Sequence, residues 1–185
     1  MSKVTIQGDA NGTGIFTIAS PNSNTDRTLV LPDEAGTVLT TAGVPASAMP
    51  AGSVIQVVAS RFSTQSTTTS TSYVDTGLTA TITPGSSLSN ILVFVNTSGH
   101  FINNAGNYPR VMLVRNSTQL GEFLGGAGYS GAGTSVGAGG MSYFDSPSTT
   151  SSVTYKVQIL SNNGGTIYWS NNGSQCTLTL MEIAG

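Results

Sequence analysis

Charge is what this chain has least of. Only 8% of its 185 residues are Asp, Glu, Lys or Arg, against about 25% in an ordinary globular protein. The net charge of −2 excludes a strongly basic surface and with it any ready case for nucleic-acid binding, which needs Lys and Arg to replace the counterions of a phosphate backbone, so no nucleic-acid partner is expected. Cys176 is the single cysteine, so no intrachain disulfide can form. In its setting, Cys-Thr-Leu-Thr-Leu, it reads as a small buried apolar side chain rather than a reactive thiol. The single histidine, His100, excludes a His-pair metal site and leaves at most one imidazole base. No run approaches the ~20 apolar residues of a membrane span, and the N-terminus carries Lys3 without the apolar stretch of a signal peptide. Synthesis in a cytoplasm, with no membrane insertion, is the expectation.

Ser, Thr, Asn and Gly stand where charge is missing. Abundant small polar residues would suit disorder, but regular clusters of Val, Ile and Leu argue for packed strands. From Gly52 onward, short runs rich in β-branched and aromatic residues recur at 54–60, 73–75, 78–83, 90–97, 110–115, 118–124, 141–145, 153–160, 166–169 and 176–183. Between them lie segments of Ser, Thr, Asn, Pro and Gly, notably 63–72, 84–89, 146–152 and 162–165. No convincing helical period interrupts the series, so a sandwich or jelly roll is predicted. The run Ile91-Leu-Val-Phe-Val95 is apolar on both faces and is expected to be covered twice, once by the second sheet and once by a neighbouring subunit.

Reaction chemistry finds little to build on. Gly126-Ala-Gly-Tyr-Ser-Gly131 has the spacing of a dinucleotide loop, but the glycine-rich continuation to Gly140 cannot supply the helix such a loop must open. That segment reads as a loop whose exposed tip, with Tyr129, is a candidate partner contact. The carboxylates Asp75, Glu122, Asp145 and Glu182 offer pairs without a pattern, and no D-x-D-x-D loop is present. The expectation is a protein that is not an enzyme and takes no cofactor or metal. Tyr168-Trp-Ser-Asn-Asn172 could stack on a sugar ring and bond its hydroxyls, which makes Tyr168, Trp169 and Asn171 candidate receptor contacts. The preferred reading of Trp169 is packing within a sheet, with Asn171-Asn-Gly as the next turn.

The first 50 residues differ in kind. Four short strand candidates, at 4–7, 15–18, 29–31 and 37–40, are too small to bury much by themselves, and this part holds neither Cys nor His to staple it. Residues 1–41 therefore read as an attachment arm or short shaft, 42–50 as a linker twice interrupted by proline, and 51–185 as the β-domain. The strongest local pattern is Asp-Arg-Thr-Leu-Val-Leu-Pro-Asp-Glu-Ala-Gly-Thr-Val-Leu-Thr, in which Arg27, Leu29, Leu31, Pro32, Asp33, Gly36, Val38 and Leu39 are the candidate assembly residues.

With the preceding Gly-Thr-Gly-Ile-Phe-Thr-Ile, this run resembles the N-terminal or shaft module of bacteriophage tail-fibre and other virion structural proteins, over about 35 residues. The layout from Gly-Ser-Val-Ile-Gln-Val-Val to the final Leu-Thr-Leu-Met-Glu-Ile also resembles the trimeric jelly-roll knobs of the tumour-necrosis-factor and C1q type. The resemblance implies an all-β protein, an extended N-terminal β-arm followed by an antiparallel β-sandwich of jelly-roll type, assembled as a homotrimer. It implies a surface position on the virion of a tailed phage, as capsid decoration or short fibre, bound through the arm to other virion proteins. The alternative is a receptor-binding fibre tip that recognises a glycan or protein of the host surface.

Overall fold

The computed structural model describes residues 8, 10–15, 17, 19, 22–26, 28, 49–102, 104, 106–124 and 135–185. The chain divides into two units, Met1–Val38 and Leu39–Gly185. In the first, the described residues are exposed, Ala10 and Asn11 lie in a turn, and the Thr25 amide donates to Ser23 Oγ at 3.1 Å. The four arm strands lie outside the described residues, apart from Ile15 and Thr17.

The described residues of the second unit build an all-β fold. Its strands are β1 (Val54–Phe62), β2 (Ser66–Thr68), β3 (Val74–Ile82), β4 (Asn90–Ile102), β5 (Pro109–Arg115), β6 (Thr118–Leu124), β7 (Ser135–Asp145), β8 (Val153–Ser161), β9 (Ile167–Trp169) and β10 (Cys176–Ile183). They form a six-stranded sheet, β1-β10-β4-β9-β2 with β7 paired to β4, and a four-stranded sheet, β3-β8-β5-β6. All the pairings are antiparallel. Setting aside the three-residue β2 and β9, the sheets run first-eighth-third-sixth and second-seventh-fourth-fifth, the order of a jelly roll.

Alternation of side chains explains why these segments are strands. Along β3, Leu78, Ala80 and Ile82 point into the sandwich while Thr79 and Thr81 face solvent; along β10, Cys176, Leu178 and Leu180 are fully buried. Their partners in the core include Ile91, Val93 and Val95 of β4, Val111 and Leu113 of β5, and Tyr155, Val157 and Ile159 of β8. Facing rows of this kind, about 10 Å apart, close the interior of a sandwich.

An ion pair also joins the two layers. Asp145, at the end of β7, receives Arg115 Nη1 of β5 at 2.8 and 2.9 Å and the hydroxyl of Tyr155 of β8 at 2.6 Å. Asp145 is 6% exposed and Tyr155 is fully buried, so the carboxylate bonds across the sheets in a nearly dry setting. Burial first, and then the Asp145 carboxylate, push the ionisation of the Tyr155 phenol far upward.

Several elements depart from the expected ones. The segments 73–75 and 78–83 form one strand, β3, because a bulge between Asp75 and Thr79 carries the chain through Gly77 at φ 92°. The expected turn at 63–72 contains β2, which the polar run Ser66–Thr68 forms against β9. Both β4 and β7 extend beyond their apolar cores, β4 to Ile102 and β7 back to Ser135, each serving as the other's template along its length.

That extension of β4 sets up the most irregular corner of the domain. One edge of β4 is covered by β7; the other is covered by β10 at residues 90–96 and by β9 at Phe101 and Ile102. Between β9 and β10 the chain makes a 3₁₀ turn at Asn171–Gly173, beside a bulge of β4 between Thr97 and His100. Gly99, at φ 65°, lies under this turn, where a Cβ would stand 2.6 Å from Ser174 Cβ and 2.8 Å from the Asn171 amide nitrogen. Only glycine combines that backbone angle with so close an approach.

Candidate functional site

The two outer faces of the sandwich differ in chemistry. On the four-stranded sheet, Arg110 Nε and Nη2 donate to Glu122 at 2.8 Å each, and the Tyr73 hydroxyl donates to the same carboxylate. Beside them Asp75 accepts from Lys156 Nζ at 3.0 Å and Gln158 Nε2 at 2.7 Å. These donors hold the Asp75 carboxyl below its usual range, with the Gln158 bond the largest cause. This face is polar and internally paired.

The outer face of the six-stranded sheet carries two apolar rows, separated by Thr179, Thr177, Asn96 and Arg61. Register places Val57, Met181, Leu92 and Phe144 opposite one another on β1, β10, β4 and β7, forming one row across the sheet. Phe94 continues the patch on β4, and farther along Tyr168, Phe101 and Val136 form a second row on β9, β4 and β7. Phe101 and Tyr168 meet edge to face with ring centroids 5.0 Å apart. Exposures of 54% for Val57, 58% for Phe144 and 65% for Val136 show that solvent reaches large aliphatic and aromatic groups here. Clustered exposed apolar side chains such as the Val57 to Phe144 row mark contact sites on proteins.

The candidate residues fare differently. Trp169 does not belong to any surface: it is fully buried, stacked on His100 with centroids 4.9 Å apart and planes 24° from parallel. It therefore cannot serve as a sugar platform, and its role is packing. Tyr168 points the opposite way, onto the apolar face, as strand alternation requires, and Asn171 is half-buried in the 3₁₀ turn. Tyr129 lies outside the described residues, as do Arg27, Leu29, Leu31, Pro32, Asp33, Gly36, Val38 and Leu39. The apolar rows were partly visible in advance as the doubly apolar Ile91 to Val95 run. Val57, Phe144 and Met181 were missed, and only the register that aligns them with Leu92 would have found them.

The candidate carboxylates have structural partners. Glu182, fully buried on β10, accepts from Gln56 Nε2 at 2.5 Å and the Gly85 amide at 2.7 Å. Burial raises its pKa, but these donors, led by Gln56, outweigh it and leave the carboxyl below its usual range. A shallow pocket of about 320 Å³ opens nearby between Ile55, Ser86, Leu88 and Ala184. Asp75, Glu122, Asp145 and Glu182 thus each hold a separate set of donors, on β3, β6, β7 and β10. Among the described residues no group of three or more His, Cys, Asp or Glu side chains comes together.

Fold and surface together define an antiparallel jelly-roll domain with apolar rows on the outside of one sheet and paired charges on the outside of the other. No protein-family model matches the chain, and no curated protein matches it in sequence.

Proposed function

We propose that this chain is a non-enzymatic structural protein of a tailed-phage virion. In this reading it is a homotrimeric surface appendage, capsid decoration or short fibre, that joins other virion proteins through residues 1–41 and displays the jelly roll. The observation that carries the multimeric part is the apolar row Val57, Met181, Leu92 and Phe144, set against the polar, paired opposite face. A face built this way gains by burial against another copy, at about 25 cal/mol per Å² of apolar surface removed from water. The attachment part rests on the resemblance of the stretch around Pro32-Asp-Glu-Ala-Gly36 to phage virion modules.

The double variant Leu92→Asp with Phe144→Asp is expected to dissociate the trimer into monomers in native mass measurement, because two charges per copy would have to be desolvated to reassemble. A wild-type protein that is already monomeric at micromolar concentration would refute the trimer. For attachment, a chain lacking residues 1–41 is expected to be soluble yet missing from purified particles, whose cryo-microscopy shows density for the intact protein at head or tail. Incorporation of the truncated chain at the normal level would remove the arm's assigned role.

A further inference from the structure

We propose that the stacked pair of His100 and Trp169 is an acid-sensitive latch. It holds the 170–175 turn against the end of the six-stranded sheet, and protonation of the imidazole opens this corner while the rest of the sandwich stays folded.

The geometry is that of a neutral pair sealed in place. Both rings are fully buried, and among the described residues neither nitrogen of His100 nor the indole nitrogen of Trp169 has a hydrogen-bond partner. An imidazolium at this position would carry two N–H donors into a space where the described residues offer it no acceptor and no counter-charge. The charged groups of the domain are committed elsewhere. Asp75 with Lys156 and Arg110 with Glu122 lie on the outer face of the other sheet, and Glu182 is tied to Gln56 on β1. Asp145 with Arg115 sits where β7 meets Ile91, nine residues along β4 from His100, or roughly 30 Å. Arg61 is opposite Thr177, on the β1 edge. From β10 the nearby titratable group is the Cys176 thiol, whose pKa burial raises and whose sulfur accepts from the Ser98 amide at 3.4 Å, so it stays neutral in acid. The segment of β7 opposite His100 and the 3₁₀ turn contribute no titratable side chain.

Burial alone accordingly lowers the His100 pKa from 6.5 to about 4. In the opened or unfolded chain the imidazole regains its ordinary value, so the open form binds the extra proton first as the pH falls. The penalty is absent above pH 6.5 and grows until pH 4, where the closed form is protonated too. Across that window opening becomes about tenfold easier per pH unit, roughly 300-fold in all.

The corner is also held by few ladder bonds. Strand β9 has three residues, two of them paired with β4, and β2 on its other side is equally short. The turn beyond it keeps Ser170 and Asn172 at φ 54°, a left-handed angle that non-glycine residues adopt at a cost. Regions with few ladder bonds and stored strain open before the global unfolding of a domain.

The chain carries its own probe, since Trp169 and His100 are its only tryptophan and histidine. Opening carries the fully buried indole into water, so titration of the full chain is expected to show a red shift of Trp169 emission with a midpoint between 4 and 6.5. Far-UV circular dichroism should stay unchanged at that midpoint. The imidazole proton resonance of the unaltered protein should titrate with the same midpoint, and the variant His100→Phe should lose the fluorescence transition. Constant emission down to a full unit below pH 4, simultaneous loss of the β-sheet signal, a resonance that titrates elsewhere, or an undiminished transition in His100→Phe would each overturn the latch.

Discussion

Replacing Asp145 by alanine is expected to lower the stability of the domain by about 3–5 kcal/mol. The carboxylate binds one partner by charge, Arg115 at 2.8 Å, and one by hydrogen bond, the Tyr155 hydroxyl at 2.6 Å, and both belong to the opposite sheet. Its removal leaves a guanidinium that is only 24% exposed without its counter-ion, and a fully buried phenol without an acceptor. Each orphaned group costs free energy on its own account, which is why breaking a buried pair is far worse than losing a surface one. Urea unfolding of the two proteins should show the loss at equal m-value, with a melting temperature lower by roughly 10 °C. Asp145→Asn, which keeps an acceptor for Tyr155, should lose less. A cost below about 1 kcal/mol for the alanine variant would mean that the pair behaves as a surface salt bridge.

The second large effect is expected at Trp169. Trp169→Ala should cost about 3–5 kcal/mol, because it removes a fully buried indole and leaves His100 facing a cavity. The neighbouring Tyr168→Ala, on the outer face, should cost under about 1 kcal/mol. Chemical denaturation of both variants separates packing from ligand contact: were Trp169 a binding platform, its loss would leave stability intact and weaken only adsorption to a host surface.

The sandwich was legible because its code is simple. Alternation in runs such as Thr79 to Ile82 and Thr177 to Leu180 reports a strand with one buried face, and charge-poor turns separate one run from the next. What escaped were features that depend on a partner strand. The polar Ser66–Thr68 becomes a strand only because β9 lies beside it, and the glycine-rich start of β7 only because β4 continues opposite. The apolar face was half legible for a related reason. Leu92 and Phe94 are neighbours in sequence, whereas Val57, Met181 and Phe144 become their neighbours through register alone. Tyr168 and Trp169 show the limit from the other side. Adjacent aromatic residues look like one sticky cluster in the sequence, yet the pleat sends one to solvent and the other to the core.

The bulge in β4 and the turn between β9 and β10 also have a consequence for parity. In an unbroken strand, residues an odd number of positions apart face opposite sides. Thr97 and His100 differ by three and both point inward; Trp169 and Cys176 differ by seven and both point inward. Each strand line therefore slips phase once, and the two slips lie side by side, with Gly99 against Ser174. The far end of the sheet keeps its inside and outside only because both lines change step together. A one-residue deletion in 97–99 or in 170–175 undoes one slip alone, so that the apolar residues beyond it fall out of phase with their neighbours across the ladder.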